Sequence, residues 1–176
     1  MEWNELLLKR RSCRSYAEGQ SMDPGTMEEI LDEVLFAPSW CNFEGSRSYA
    51  AVSPEKKKEV LAALPDFNQK NAKNAAAYIV TTYKKGLSGF INGKTDALGN
   101  QWGAYDLGLH DAYLVLALRN RGFDSLIMGL RDENRLREIF ASPEDEVIMS
   151  VIAAGKHDSE PVLRPRKALQ EVAKIR

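Results

Sequence analysis

The sequence predicts one compact domain in which helices alternate with strands, and three observations carry that prediction. Apolar residues repeat at helical spacing in several segments, the longest being residues 101–121. Between them lie short apolar runs, notably 75–83 and 147–154, which suit buried strands. No repeat, low-complexity stretch or linker divides the 176 residues, and at 44% hydrophobic content such a chain can bury a sizeable core.

The chain opens on a short amphipathic run in which Trp3, Leu6, Leu7 and Arg10 share one helical face. It runs into Lys9-Arg10-Arg11-Ser12-Cys13-Arg14-Ser15-Tyr16, which packs four cations and two serine hydroxyls into eight residues. Helix gives way at Ser12 and Ser15, whose side chains compete for backbone hydrogen bonds. Two readings stand for this stretch. Guanidiniums bind phosphate bidentately and keep their charge, which suits an anion site. A solvated basic helix end, stabilised by the negative end of the dipole, needs no ligand.

Asp23 and Pro24 then form an N-cap and a first helical position, followed by Met27, Ile30, Leu31, Val34 and Leu35 at core spacing. Pro38 stops that helix. The loop Ala37-Pro38-Ser39-Trp40-Cys41-Asn42 sets two polar groups beside two soft apolar side chains, which suits a ligand wall or plain turn chemistry. Residues 48–52 read as a strand, Pro54 opens a helix carrying Val60, Leu61 and Leu64, and Asn68-Gln69-Lys70-Asn71 reads as a polar interlude.

Residues 86–99 are Gly-rich and aperiodic, which predicts a mobile loop or lid. Within them Ser88-Gly89-Phe90-Ile91-Asn92-Gly93-Lys94-Thr95 nearly spells a phosphate-binding P-loop. Ser88 stands where glycine is required, and no apolar helix begins at Thr95, so no triphosphate cradle is expected.

In residues 101–121, Trp102, Tyr105, Leu109, Ala112, Tyr113, Leu116 and Ala117 make one face. Leu114, Val115 and Leu118 add apolar surface on the other sides. A helix apolar all round is buried all round, either by a second subunit or by the chain's own elements. Gly122 is its C-cap, and 123–129 give a strand whose final Gly129 lets backbone approach a planar ligand. Asp132 caps a short helix with Leu136, Ile139 and Phe140 inward, and Glu144-Asp145-Glu146 reads as a solvated acidic turn. After the strand at 147–154, prolines keep Pro161-Val162-Leu163-Arg164-Pro165-Arg166-Lys167 extended, and Leu169, Val172 and Ala173 suggest a last short helix.

A net charge of −1 argues against nucleic acid or an anionic membrane as partner, so any anion site must be local. No apolar run approaches membrane-spanning length, and Met1-Glu2-Trp3 begins no signal-peptide pattern. Cys13 and Cys41, with His110 and His157, give no paired metal-ligand spacing, so no metal is expected. Free thiols in a reducing cytoplasm are the simplest reading of Cys13 and Cys41, with a disulfide between them the alternative.

Taken in order, these features resemble the nitroreductase family of FMN-dependent oxidoreductases. The resemblance rests on Arg10-Arg11-Ser12-Cys13-Arg14-Ser15-Tyr16, Ala37-Pro38-Ser39-Trp40-Cys41-Asn42, Asp106-Leu107-Gly108, Gly122-Phe123-Asp124-Ser125 and Arg164-Pro165-Arg166-Lys167, and spans nearly the whole chain. It implies an α+β homodimer, with a mixed sheet flanked by helices and a C-terminal tail exchanged between subunits. It also implies two FMN molecules between the subunits, NAD(P)H as transient donor, and a nitroaromatic, quinone or similar small-molecule electron acceptor.

Carried over by position, Arg10, Ser12, Arg164 and Arg166 would hold the FMN phosphate, with Arg11 adding contacts. Arg14 would lie near the pyrimidine edge, where its charge stabilises reduced flavin. Pro38, Ser39, Trp40, Cys41 and Asn42, from the partner subunit, would flank the ring, and Asn68 and Asn71 would reach its polar edge. Leu126, Ile127, Met128 and Gly129 would pass along its other face, with a backbone N–H near Met128 or Gly129 for flavin N5. No acid–base side chain is assigned. The chain departs from the family where Phe43-Glu44-Gly45-Ser46 replaces a Gln-Pro-Trp-like segment and where Asn71 stands for a common lysine. The same fold and cofactor would also serve another reductive reaction such as dehalogenation, or flavin binding without catalysis.

Overall fold

The computed structural model describes residues 1–176. Its helices are α1 (Trp3–Lys9), α2 (Pro24–Val34), α3 (Pro54–Ala62), α4 (Asp66–Ala72), α5 (Gln101–Asn120), α6 (Glu133–Phe140) and α7 (Leu169–Val172). Its strands are β1 (Ser46–Ala51), β2 (Ala77–Lys84), β3 (Phe90–Ile91), β4 (Lys94–Thr95), β5 (Asp124–Met128) and β6 (Glu146–Gly155).

Four strands form the main sheet in the order β1-β2-β6-β5, each pair antiparallel. β2 and β6 lie in the middle because their runs are apolar on both faces, and side-chain alternation then supplies two cores. Tyr78, Val80, Val151 and Ala153 face one way, with Val60, Leu64 and Leu136 around α3 and α6. Ala77, Ile79, Ile152 and Ala154 face the other way, with Ile30 and Val34 of α2 and Leu114 and Leu118 of α5. The result is an α+β fold, a sheet flanked by helices. Its parallel element is a single bridge, where Ser12 lies beside Ser125 along the outer edge of β5.

The expected helix starts form through the expected caps. Asp23 accepts the Thr26 backbone N–H at 3.0 Å, and Asp132 accepts that of Arg135 at 3.0 Å. Several other expectations give way. The polar interlude at 68–71 is the body of α4, a short helix that buries only Asn68 and Ala72. Leu35 lies past the end of α2 and is 73% exposed. The acidic turn ends at Asp145: Glu146 is buried at the start of β6, where it accepts the hydroxyls of Tyr49 at 2.8 Å and Thr82 at 2.6 Å. Residues 86–99 contain the β3–β4 hairpin, turned by Asn92 and Gly93, both at positive φ.

The chain's own elements do not bury α5 all round. Gly103, Asp106, Leu107, Asp111, Leu114, Val115, Ala117 and Leu118 are buried, while Tyr105 and Tyr113 are exposed. No helix is long and apolar enough to cross a membrane.

Candidate functional site

The basic stretch forms a cradle because the chain after α1 is stitched to the last two strands. The Cys13 N–H donates to Ser125 O at 2.9 Å, Ala17 N–H to Lys156 O at 3.1 Å, and Asp158 N–H to Ser15 O at 3.0 Å. Cys13 and Tyr16 point inward and are buried, and burial pushes both of their pKa values up. Tyr16 donates its hydroxyl to Ala153 O at 3.1 Å. Arg10, Arg11, Ser12 and Arg14 are left toward the surface.

The cradle is short of negative charge. None of Arg10, Arg11, Arg14, Arg164 and Arg166 has a carboxylate within 4.0 Å. The Arg10 guanidinium is held below its ordinary pKa, first by burial and then by the charges of Arg11 and Arg166. Like charges brought together without a counter-charge leave a place for an anion.

A cavity of about 590 Å³ opens beside this cradle, between α5 and the ends of β5 and β6. Arg10 and Ser12 line one end of it, Ile127, Gly129 and Met149 one wall, and Gly108 and Asp111 of α5 another. A methyl group added at Gly108 or Gly129 would meet no atom within 4 Å. Ser12 also lines a neighbouring pocket of about 210 Å³ with Arg14 and Arg164. Seven of the expected residues therefore converge: Arg10, Ser12, Arg14, Ile127, Gly129, Arg164 and, through its charge on Arg10, Arg166.

Of the four-residue run on β5, only Ile127 and Gly129 reach the cavity. Leu126 and Met128 have the opposite strand parity, so their side chains are buried in the core against α3 and α6. Asn68 is also buried, and its amide donates to Leu130 O at 3.0 Å, one residue beyond Gly129. Neither Asn68 nor Asn71 lines the cavity.

Pro38, Ser39, Trp40, Cys41 and Asn42 stand apart from the cradle within one chain. Pro38 and Ser39 line a separate cavity of about 280 Å³ with Arg47, Asp106 and His110. Trp40 packs on Trp102 with ring centroids 4.5 Å apart, and Trp102 donates its indole N–H to Asp96 at 2.6 Å. That bond holds the Asp96 carboxyl below its usual range. Cys41, Asn42 and Glu44 all have positive φ, a left-handed conformation that favours glycine. The loop is held there by Asp106, which accepts the Trp40 N–H on both oxygens and the Ser88 hydroxyl on one.

Asp106 and Asp111 are organising residues that periodicity does not find. The signal was present as two carboxylates in an otherwise apolar helix, since a buried charge must have partners.

Residues 7–156 match the nitroreductase family. A protein named as an NAD(P)H nitroreductase, YdgI of Bacillus subtilis, is 24% identical over an alignment covering 98% of this chain and 96% of that protein. A crystal structure from Exiguobacterium sibiricum, named as a nitroreductase in complex with FMN, superposes with a TM-score of 0.89 at 21% identity, covering 100% and 98% of the two chains. The enone reductase CLA-ER, which catalyses a step of gut-bacterial fatty acid saturation, superposes with a TM-score of 0.83 at 18% identity, covering 99% and 97%.

Proposed function

The chain belongs to the nitroreductase family, and from that premise we propose that it is an FMN-dependent oxidoreductase acting on a nitroaromatic, a quinone or a similar small acceptor. When bound, FMN supplies the redox chemistry, taking hydride from NAD(P)H and passing it on through N5. The observation that carries the reading is the unpaired Arg10, Arg11 and Arg166 cluster at the mouth of a cavity of about 590 Å³.

The residues present fit the cofactor. Arg10, Ser12, Arg164 and Arg166 would hold the phosphate, whose charge answers their mutual repulsion. Arg14 would stand beside the pyrimidine edge. Gly108 and Gly129 leave open space where a side chain would obstruct a planar ring. Bound there, the ring excludes water from the walls formed by Leu107, Val115 and Ile127.

A homodimer completes the proposal. Tyr105 and Tyr113 on α5, together with Trp3, Leu7 and Leu8 on α1, are exposed in the single chain. Every residue from Val162 to Arg176 is exposed as well, Val162, Leu163, Leu169, Val172 and Ile175 among them. A second copy would cover these surfaces, take the tail, and lend the 38–42 loop to the ring. Residues 1–176 would then act as one flavin-binding unit, and the free thiols of Cys13 and Cys41 suit a reducing cytoplasm.

The test is the visible spectrum of the purified protein, with release of its chromophore and assay of NADH and NADPH oxidation against a panel of nitroaromatic, quinone and enone acceptors. Flavin bands, FMN near one per chain and acceptor-dependent oxidation are expected. A colourless protein that takes up no added FMN overturns the reading. Flavin binding without turnover leaves a flavin carrier.

A further inference from the structure

A line of hydrogen-bonded side chains runs through the protein beyond the arginine cradle. Ser48 Oγ on β1 lies 3.2 Å from His110 Nε2, and His110 Nδ1 lies 3.1 Å from Asp111 Oδ1. Asp111 Oδ2 accepts the hydroxyls of Thr81 at 3.1 Å and Ser150 at 3.4 Å, and those hydroxyls are 2.9 Å apart. Asp111, Thr81 and Ser150 are all buried. Burying so many polar groups costs stability unless each is bonded, and here the bonds join into one connected path.

Each end of the path opens into a different cavity. Asp111 and Ser150 line the large cavity beside Arg10. Ser48 and His110 line the one of about 280 Å³ on the far side of α5. The charged groups around His110 are Asp106 and Asp111 of its own helix and, in the same cavity, Arg47 from β1 and Glu44 from the loop before it, while α2 and its C-cap contribute only the apolar Leu31, Val34 and Leu35. Of the groups along the path, only the imidazole ordinarily exchanges protons near neutral pH, and it can release one nitrogen's proton while accepting another at its second nitrogen.

We infer that Ser48, His110 and Asp111 form a proton relay that feeds the cavity in which the acceptor is reduced. The inference rests on the oxidoreductase reading above. Two-electron reduction of a quinone or an activated alkene takes up one hydride and one proton. The hydride comes from NAD(P)H by way of the cofactor, so the proton needs its own source. The proton held between His110 Nδ1 and Asp111 Oδ1 passes through the carboxylate to the acceptor anion. His110 takes a replacement at Nε2 from the Ser48 side, and exchange with solvent restores the starting tautomer. One proton enters for each that leaves, and neither side chain is changed. His110 and Ser48 act through Asp111.

The test compares the wild type with His110→Gln and Asp111→Asn. FMN affinity comes first, by fluorescence titration. The His110 imidazole is then followed by ¹⁵N NMR in the flavin-free protein, where Asp111→Asn is expected to shift its Nδ1 signal. Finally, acceptor reduction by pre-reduced enzyme is measured against pH, separately from flavin reduction by NAD(P)H. The wild-type rate should fall as pH rises, because the relay is refilled by protons from solvent. His110→Gln should lose at least about tenfold in that half-reaction, lose that pH limb, regain rate with added imidazole, and keep its FMN affinity and its reduction by NAD(P)H. An unchanged limb in His110→Gln, or an equal loss in both half-reactions, overturns the relay alone. Failure to bind FMN in the wild type sinks the oxidoreductase reading and the relay with it. Should His110→Gln not fold, Ser48→Ala removes the solvent end of the path and carries the same comparison.

Discussion

Asp106 holds Trp40 across 66 residues of sequence: both of its carboxylate oxygens accept the Trp40 backbone N–H, at 3.1 and 3.0 Å. One of them also accepts the Ser88 hydroxyl at 2.6 Å. A single buried charge on α5 thereby anchors the strained 38–44 loop and the approach to the β3–β4 hairpin. Asp106→Ala leaves two donors without a partner and should cost about 3 kcal/mol. Asp106→Asn keeps an acceptor and should cost about 1 kcal/mol. Urea unfolding of the two variants checks both the sign and the order.

The arginine cradle predicts opposite effects on the empty and the loaded protein. Arg10→Ala relieves repulsion with Arg11 and Arg166 and breaks no ion pair, so the flavin-free protein should be no less stable. Its FMN dissociation constant should rise by about 10- to 100-fold, the worth of one charge-assisted phosphate contact. Arg166→Ala should behave alike. Thermal melts with and without FMN measure both quantities.

Two glycines on one helix make a paired prediction. Gly108→Ala puts a methyl group into open space within α5, so the empty protein should gain about 0.5–1 kcal/mol while FMN binds more weakly. Gly103→Ala drives its methyl group into the Tyr83 ring and should destabilise the protein by about 1–3 kcal/mol. A Gly108→Ala protein that binds FMN as the wild type does would move the ring elsewhere.

Tyr49 predicts an alkaline weakness. Burial, and then its hydrogen bond and proximity to Glu146, push its pKa from 10.0 to about 12. Above pH 10 the unfolded chain gives up this proton and the folded chain keeps it, so stability is whole below pH 10 and declines up to about pH 12. Tyr49→Phe should be less stable at neutral pH through the lost bond, yet decline less steeply in that window. Burial raises Tyr16 and Tyr78 in the same direction, so part of the slope should remain. Denaturant titrations at pH 8, 10 and 11.5 separate the two proteins.

What the sequence made legible follows the strength of local chemistry. Asp23, Asp132 and Gly122 marked helix ends because caps depend on one or two residues, and the apolar middle strands marked themselves. α4 was hidden because a helix that buries only Asn68 and Ala72 leaves almost no period to detect. The hairpin was hidden because strands two residues long cannot alternate, although Asn92-Gly93 was its turn signal. The buried side of α5 does not stand out in the sequence because Leu107, Leu114, Val115 and Leu118 share it with Gly103, Ala117 and two aspartates, while Tyr105 and Tyr113 outside it are apolar too. Of the expected site residues, Arg10, Ser12, Arg14, Ile127, Gly129 and Arg164 line the two adjoining cavities, whereas the parity of Leu126 and Met128 depends on a strand's rotation that order does not give.

The stitching of residues 12–17 to β5 and to the end of β6 has a consequence for how the protein is made. A ribosome delivers Arg10, Arg11 and Arg14 near the start of translation, yet Ser125, Lys156 and Asp158, whose backbones hold that segment, emerge more than a hundred residues later. A nascent chain stopped before Asp124 would carry the arginines with nothing to lay them against. On the proposed function, cofactor capture would wait until synthesis is nearly complete.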